Sequence, residues 1–306
     1  MKLFVIVVWE IINMGLRAKK PVIQEPRVKA LIYADKGAGK THFCCTFPDT
    51  YYIDTEGLED YPQYVKMIHD NKGDLVYLTE LGEIIKEVQE LLKTKHNYKT
   101  LVIDSISFPY AWMAQMEAER LALKAKGESE GTEYGANLAK VKRLIFQLGI
   151  LLSRLDMNIL CVSHEKVKYA DGKELGKTFD ISDKMAYSLG AVWHLRLQGK
   201  FRKLFVEKSR YTEMETNTSL DFDNGYNLIK SLFGEEIFKR ESQQEELATP
   251  EQIRQYNQLT KILNISDEDK QKWLRNAKAQ EVEEMSKDYI QRAIDYLNSQ
   301  VKGEAA

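Results

Sequence analysis

An apolar run, Val28–Tyr33 (VKALIY), leads directly into Ala34-Asp35-Lys36-Gly37-Ala38-Gly39-Lys40-Thr41. A buried strand that breaks into a small-residue loop, with a helix able to begin at Lys40, constrains the fold more than anything else in the chain. The loop fits the pattern G-x-x-x-x-G-K-[ST], with Ala34 in place of the first glycine. Gly37 and Gly39 allow the backbone to curl so that successive amides point at phosphate oxygens. Lys40 then supplies charge to the β- and γ-phosphates, and the Thr41 hydroxyl ligates magnesium. A cradle of Ala34, Asp35, Lys36, Gly37, Ala38, Gly39, Lys40, Thr41 and His42 is therefore expected, with ATP and Mg2+ as its ligands. The alternative, a chance Gly-Lys-Thr in a loop, is disfavoured by the strand before it and the helix pattern after it.

The chain around this loop alternates between short apolar runs and amphipathic stretches. Tyr51–Ile53, Leu75–Leu78, Leu101–Ile103 and Asn158–Val162 read as further strands. Leu81, Ile84, Ile85, Val88, Leu91 and Leu92 follow the spacing of one helix face, with Thr79 as the expected cap. Leu138, Val141, Leu144, Ile145, Leu148, Leu151 and Leu152 do the same before Asn158. Such alternation predicts an α/β fold with a mainly parallel central sheet covered by helices. The rhythm then changes. Ala191–Leu197, Arg202–Glu207 and Ser219–Phe222 read as strands joined by short turns, so the sheet should end in antiparallel hairpins.

A polar stretch at residues 240–248 reads as a linker. It precedes Thr249-Pro250-Glu251-Gln252, a capping-box start with proline at the first helical position. Helices are expected from there, after Ser266, and over about Val282–Leu297, forming a small three-helix module. The expected organisation is a leader over 1–25, a core over 26–239, a linker over 240–248 and a helical module over 249–306. The apolar residues 3–9 are interrupted by Glu10 and are too short to cross a bilayer, which needs about 20 residues. They lack a small-residue cleavage site as well. An extra strand, a flexible leader, or an upstream extension before a start at Met14 all fit them.

Composition narrows the function classes. The chain has 306 residues, with Lys plus Arg 44 against Asp plus Glu 46, a net charge of -2. That excludes a uniformly basic, histone-like surface. Residues 240–306 hold 10 basic and 13 acidic residues, net -3, which points to docking of a protein partner or a neighbouring subunit rather than to gripping phosphates. Cys44, Cys45 and Cys161 are too few for a disulfide framework, and a cytoplasmic setting is expected.

A phosphate loop needs a second magnesium anchor, and Thr100-Leu101-Val102-Ile103-Asp104 is an apolar strand ending in a carboxylate. Ser105 follows Asp104, where many ATPases carry a catalytic glutamate. The general base is therefore expected elsewhere. Glu56, in Tyr52-Ile53-Asp54-Thr55-Glu56, lies just past the second strand, at the carboxyl edge where open α/β sheets place ligands. The alternative is that Asp54 and Glu56 are solvated loop acids.

The order of strand and phosphate loop, I-D-T-E, V-I-D-S, and an apolar strand ending in Ser163-His164 resembles the RecA-like ATPase core. It is most similar to phage RecA-like ATPases that include single-strand annealing proteins of the Sak type. The resemblance covers about residues 26–235. It implies a polar γ-phosphate sensor at His164, and a Lys-x-Arg element at Lys208 and Arg210 that enters a neighbour's active site, the alternative being surface basic residues on a hairpin. A homo-oligomer, ring or filament, follows from it. The resemblance also implies single-stranded DNA on axial loops. The segments offered are Lys124–Gly135 and Glu165–Ile181, the latter with Lys166, Lys168, Lys173 and Lys177 interleaved with Tyr169 and Phe179. The alternative is an exposed hairpin of near-zero net charge. The expected function is a DNA-stimulated ATPase of phage-type recombination or annealing, in the bacterial host cytoplasm and away from membranes. Two alternatives are a replicative helicase or helicase loader, and a nucleotide-stabilised DNA-binding scaffold with little turnover. A small-molecule kinase is disfavoured by the lack of an arginine-rich lid cluster.

Overall fold

The computed structural model describes residues 26–125, 136–170 and 172–304. The expected leader and most of Lys124–Gly135 lie outside these residues. Contacts divide the chain into two compact units, one of which spans Glu25–Gln244.

Among its described residues that unit has nine strands. They are β1 (Lys29–Ala34), β2 (Thr50–Asp54), β3 (Asp74–Tyr77), β4 (Thr100–Asp104), β5 (Asn158–Ala170), β6 (Lys173–Phe179), β7 (Ala191–Gln198), β8 (Phe201–Ser209) and β9 (Ser219–Asp221). Their order is β3-β2-β4-β5-β1-β7-β8-β9, with β6 paired to β5. The six strands from β3 to β7 run parallel. β8 and β9 add antiparallel strands at one side, and β5–β6 is a separate antiparallel hairpin. The fold is thus mixed α/β with a mainly parallel sheet, as the strand–helix alternation predicts.

Strand side chains alternate between two faces, and each face is sealed by its own helices. Leu31, Tyr33, Ile53, Leu101, Ile103, Ile159 and Cys161 pack with α3 (Leu81–Lys93), α5 (Ala136–Arg154) and α6 (Asp183–Ser188). Ala30, Ile32, Ala34, Tyr52, Val102, Leu160 and Val162 pack with α1 (Lys40–Cys45), α2 (Pro62–Asp70), α7 (Gly225–Phe233) and α8 (Glu236–Lys239). Strands buried on both faces read as continuous apolar runs, which is why the sequence shows them plainly. α4 (Ser107–Ala125) follows β4.

Two local expectations are corrected. The residue preceding α3 is Glu80 rather than Thr79, and it makes no side-chain cap. β5 does not stop at Val162. It continues to Ala170 because its second half finds a new partner in β6.

The second unit contains α9 (Pro250–Ile262), α10 (Asp267–Asn276) and α11 (Lys287–Glu304). Their apolar faces meet around Tyr256, Trp273, Met285, Ile290 and Ile294. α9 has its full capping box, with Thr249 Oγ1 accepting from the Gln252 amide and the Gln252 side chain accepting from the Thr249 amide. The third helix starts later than the pattern suggests, because Val282–Glu284 is a 3-10 turn. Among the described residues, no helix is long and apolar enough to cross a membrane.

Candidate functional site

The loop between β1 and α1 has the curled backbone that its sequence requires. Gly37 and Gly39 have φ of 78° and 96°, a region that disfavours any residue with a Cβ. Lys40 Nζ donates to the Ala34 and Asp35 carbonyls at 3.0 and 3.2 Å, so it lies across the mouth of the loop. Burial holds this amine below its ordinary pKa.

The second anchor comes from two strands away. Thr41 Oγ1 donates to Asp104 Oδ2 at 2.8 Å, and the Tyr52 hydroxyl donates to the same oxygen at 2.7 Å. Burial pushes the Asp104 carboxyl up, while these two hydrogen bonds pull it down. The donor set fits magnesium. Mg2+ is commonly held by one or two carboxylates with substrate phosphates completing its shell. One hydroxyl and one carboxylate meet here, and no cluster of three or more His, Cys, Asp or Glu suited to a metal occurs among the described residues. Thr41 and Asp104 would hold the ion only in company with phosphate oxygens.

Glu56, Ser105 and His164 come together beside this pair. They stand just beyond β2, just beyond β4, and within β5, and the parallel register brings those strands side by side. His164 Nε2 lies 2.7 Å from Glu56 Oε1, and the Ser105 hydroxyl donates to that same oxygen. Ser105 Oγ and His164 Nε2 are 3.3 Å apart. The His164 contact holds the Glu56 carboxyl below its ordinary value, and Glu56 in turn raises the imidazole. Backbone bonds fix the acid's approach: Thr55 Oγ1 donates to the Ser105 carbonyl and accepts from the Ser105 amide, at 2.8 and 2.9 Å. Asp54 accepts from the Glu56 and Leu58 amides, so it is a turn-former, not a solvated acid.

A polar network continues from β5 into the sheet. Glu165 Oε2 lies 2.6 Å from His194 Nε2, and Arg196 Nε donates to His194 Nδ1 at 3.0 Å. Since Nδ1 accepts, the ring proton sits on Nε2 and is given to Glu165. Tyr33 stacks on His194 with ring centroids 4.2 Å apart and donates its hydroxyl to Glu207.

Other expected residues lie elsewhere. Lys208 and Arg210 are at the amino edge of the parallel strands, since Ser209 pairs with Ala191 and Ala191 with Ala30. Roughly four residues of strand, about 13 Å, separate that edge from the phosphate loop. Lys208 Nζ donates to the Ala186 and Leu189 carbonyls, and Arg210 Nη2 to the Tyr187 carbonyl at 3.2 Å. On the β5–β6 hairpin, Lys168 and Lys173 are exposed. Lys166 pairs with Asp180 at 3.2 Å and Lys177 with Glu165 at 3.5 Å. The backbone of Tyr169 lies within β5. The stacking role expected of Phe179 is corrected: the ring is buried at 8 % exposure, edge-on to Tyr33, because Phe179 falls on the face that joins the core.

Sequence reasoning missed Ser105 as a contributor to the site, as well as Tyr52 and Arg202. Tyr52 was legible as a strand residue, but its hydroxyl meets Asp104 only through the β2–β4 pairing. Arg202 reaches the loop from β8, with Nε 3.1 Å from where a Cβ at Gly39 would stand.

No curated protein matches the chain. A solved structure described as "Crystal structure of the RadB recombinase" is 17 % identical, with TM-score 0.45, covering 65 % of this chain and 87 % of that one. A family model described as "AAA domain" matches residues 27–200, the stretch that carries the phosphate loop, Glu56, Asp104 and His164, and the chain belongs to that family of P-loop ATPase domains.

Proposed function

We propose that this protein hydrolyses ATP with Glu56 as the general base, as a RecA-like oligomer that works on single-stranded DNA in recombination or strand annealing of the phage type. The observation that carries the hydrolytic reading is how Glu56 is held. Both Ser105 and His164 bond its Oε1, while Oε2 accepts no bond among the described residues. A carboxylate anchored by one oxygen presents the other to a water. In the reaction, that water attacks the γ-phosphorus and its proton passes to Glu56. The β–γ oxygen–phosphorus bond breaks with its electron pair going to ADP. Lys40 balances the charge on the β- and γ-phosphates. Magnesium held by Thr41 and Asp104 would add charge neutralisation.

The polymer reading rests on β5. His164 touches the base, and the same strand continues without a break into a hairpin bearing exposed Lys168 and Lys173. His164 and the exposed Lys168 thus lie on one strand, four residues apart. A few exposed lysines on each of many repeated subunits suit sequence-neutral contact with a phosphate backbone.

The test is ATP turnover with and without single-stranded DNA, alongside the mass of the ATP-bound species. Stimulation together with a mass above that of the monomer is expected. Glu56→Gln should lower turnover by about 10²–10⁴-fold, the usual worth of a general base, and leave ATP affinity intact. Unchanged turnover in that variant would remove Glu56 from the mechanism. Nucleotide-dependent assembly with negligible turnover in the wild type would favour the scaffold reading.

A further inference from the structure

Among the described residues, Arg202 is the long cation that reaches the phosphate loop from the antiparallel side of the sheet. On β8 it shares a face with Leu204 and Val206, which are buried against the α1 side, so its side chain points toward α1. It also pairs across the hairpin with Leu197, three residues beyond His194 on β7. His194 in turn pairs with Tyr33 near the end of β1, so this position overhangs the carboxyl edge where the loop begins.

Three observations make this contact more than packing. Arg202 Nε would stand 3.1 Å from a Cβ at Gly39, with Cδ and Cζ at 3.5 and 3.7 Å, so the Nε edge of the guanidinium lies against the loop. Its charge is felt at His42, whose pKa is lowered by burial and by Arg202. And no carboxylate or carbonyl among the described residues accepts from its guanidinium. A half-buried guanidinium has five N–H donors in a fixed fork that matches phosphate oxygens. Leaving all five without a protein acceptor, beside a loop whose amides face phosphates, calls for an anionic ligand.

The strand order says which part of the ligand. Glu56, Asp104 and His164 come from β2, β4 and β5, on one flank of β1, and Arg202 comes from β8, on the other flank. We infer that Arg202 is a binding residue for the part of the nucleotide that is not transferred: it donates to phosphate oxygens on the α side, next to His42, and takes no part in water activation. This rests on the nucleotide reading of the loop.

The test uses the full chain and a fluorescent ATP analogue titrated with Mg2+ present, together with steady-state turnover. Arg202→Ala should raise Kd for ATP and for ADP about tenfold or more, with kcat within about twofold of wild type and an unchanged melting temperature. Arg202→Lys should recover part of the lost affinity, because it restores the charge without the fork. Affinity unchanged in Arg202→Ala overturns the inference. So does a fall in kcat at constant Kd, which would place the guanidinium on the transferred group. Arg202→Lys binding as poorly as Arg202→Ala overturns the anion contact. The Kd is read without hydrolysis, so a wild type that binds ATP but does not turn it over removes the hydrolytic reading alone. A wild type that binds no nucleotide removes both.

Discussion

At the scale of single residues, neighbouring side chains in the site shift one another's titration. Glu56 and His164 form the clearest case, and the sign of their pH dependence can be worked out. His164 is raised above its usual 6.5 by Glu56, so its contribution is complete below that value and is lost as pH rises through the raised pKa. Glu56 is lowered from 4.5, so its contribution is complete above that value and is lost as pH falls through the lowered pKa. The pair therefore stabilises most between roughly pH 4.5 and 6.5. Both side chains are nearly half exposed, 45 % and 44 %, so solvent screening keeps the effect small. The difference in melting temperature between wild type and His164→Gln should peak in that window and shrink at alkaline pH; thermal melts across a pH series check it. Thr41→Ala removes the hydroxyl shared with Asp104 and should weaken the Mg2+ dependence of nucleotide binding, which a titration of Mg2+ at fixed nucleotide measures.

At the scale of elements, ends and crossings set the stability. α9 is closed by its reciprocal Thr249–Gln252 bonds. Thr249→Ala should cost about 1 kcal/mol, seen as a shift of the denaturation midpoint at constant slope. α7 begins at Gly225 directly over α1, and a Cβ there would come within 2.7 Å of the Phe43 ring and 2.8 Å of its carbonyl. Backbone cannot give way as a flexible side chain can. Gly225→Ala should therefore cost about 1–3 kcal/mol, read by the same denaturation series. Lys29 shows how one side chain serves two elements: its Nζ on β1 donates to the Leu152, Ser153 and Leu155 carbonyls at the end of α5. Burial lowers this amine to about 8.

At the scale of the whole molecule, every residue of the candidate site lies in the unit Glu25–Gln244. That unit is tied closed near its own end. Arg27 bridges Asp156 and the Ile237 carbonyl at 3.0 and 2.8 Å, and Ser242 and Gln243 bond Tyr98 and Asp156. A chain ending at Gln244 should keep ATP affinity within about twofold; the same fluorescent titration decides. Arg210 sits at the far edge of the sheet from its own Lys40, so in the oligomer proposed above any phosphate it serves belongs to another subunit. Mixing Arg210→Ala with Glu56→Gln chains should restore part of the turnover, and a mixing curve that stays flat would remove the trans role.

The sequence alone determined the parts that depend on local pattern. The phosphate loop needs glycines at fixed offsets, the buried strands need continuous apolar runs, and α9 needs its capping box; each is written in consecutive residues. Asp104 and Glu56 were legible for the same reason, as acids at or just past strand ends. The tertiary structure decided what depends on which strand lies beside which. Ser105 joins Glu56 and His164 only because β2, β4 and β5 are neighbours, Tyr52 reaches Asp104 across the β2–β4 pair, and Phe179 turns inward when β6 pairs with β5. Arg202 lies about 160 residues from Gly39 in the chain, and nothing local to either marks the other. Spacing along a chain fixes one residue's geometry relative to its near neighbours, whereas strand order, set by burial of the whole sheet, brings the distant ones within a hydrogen bond.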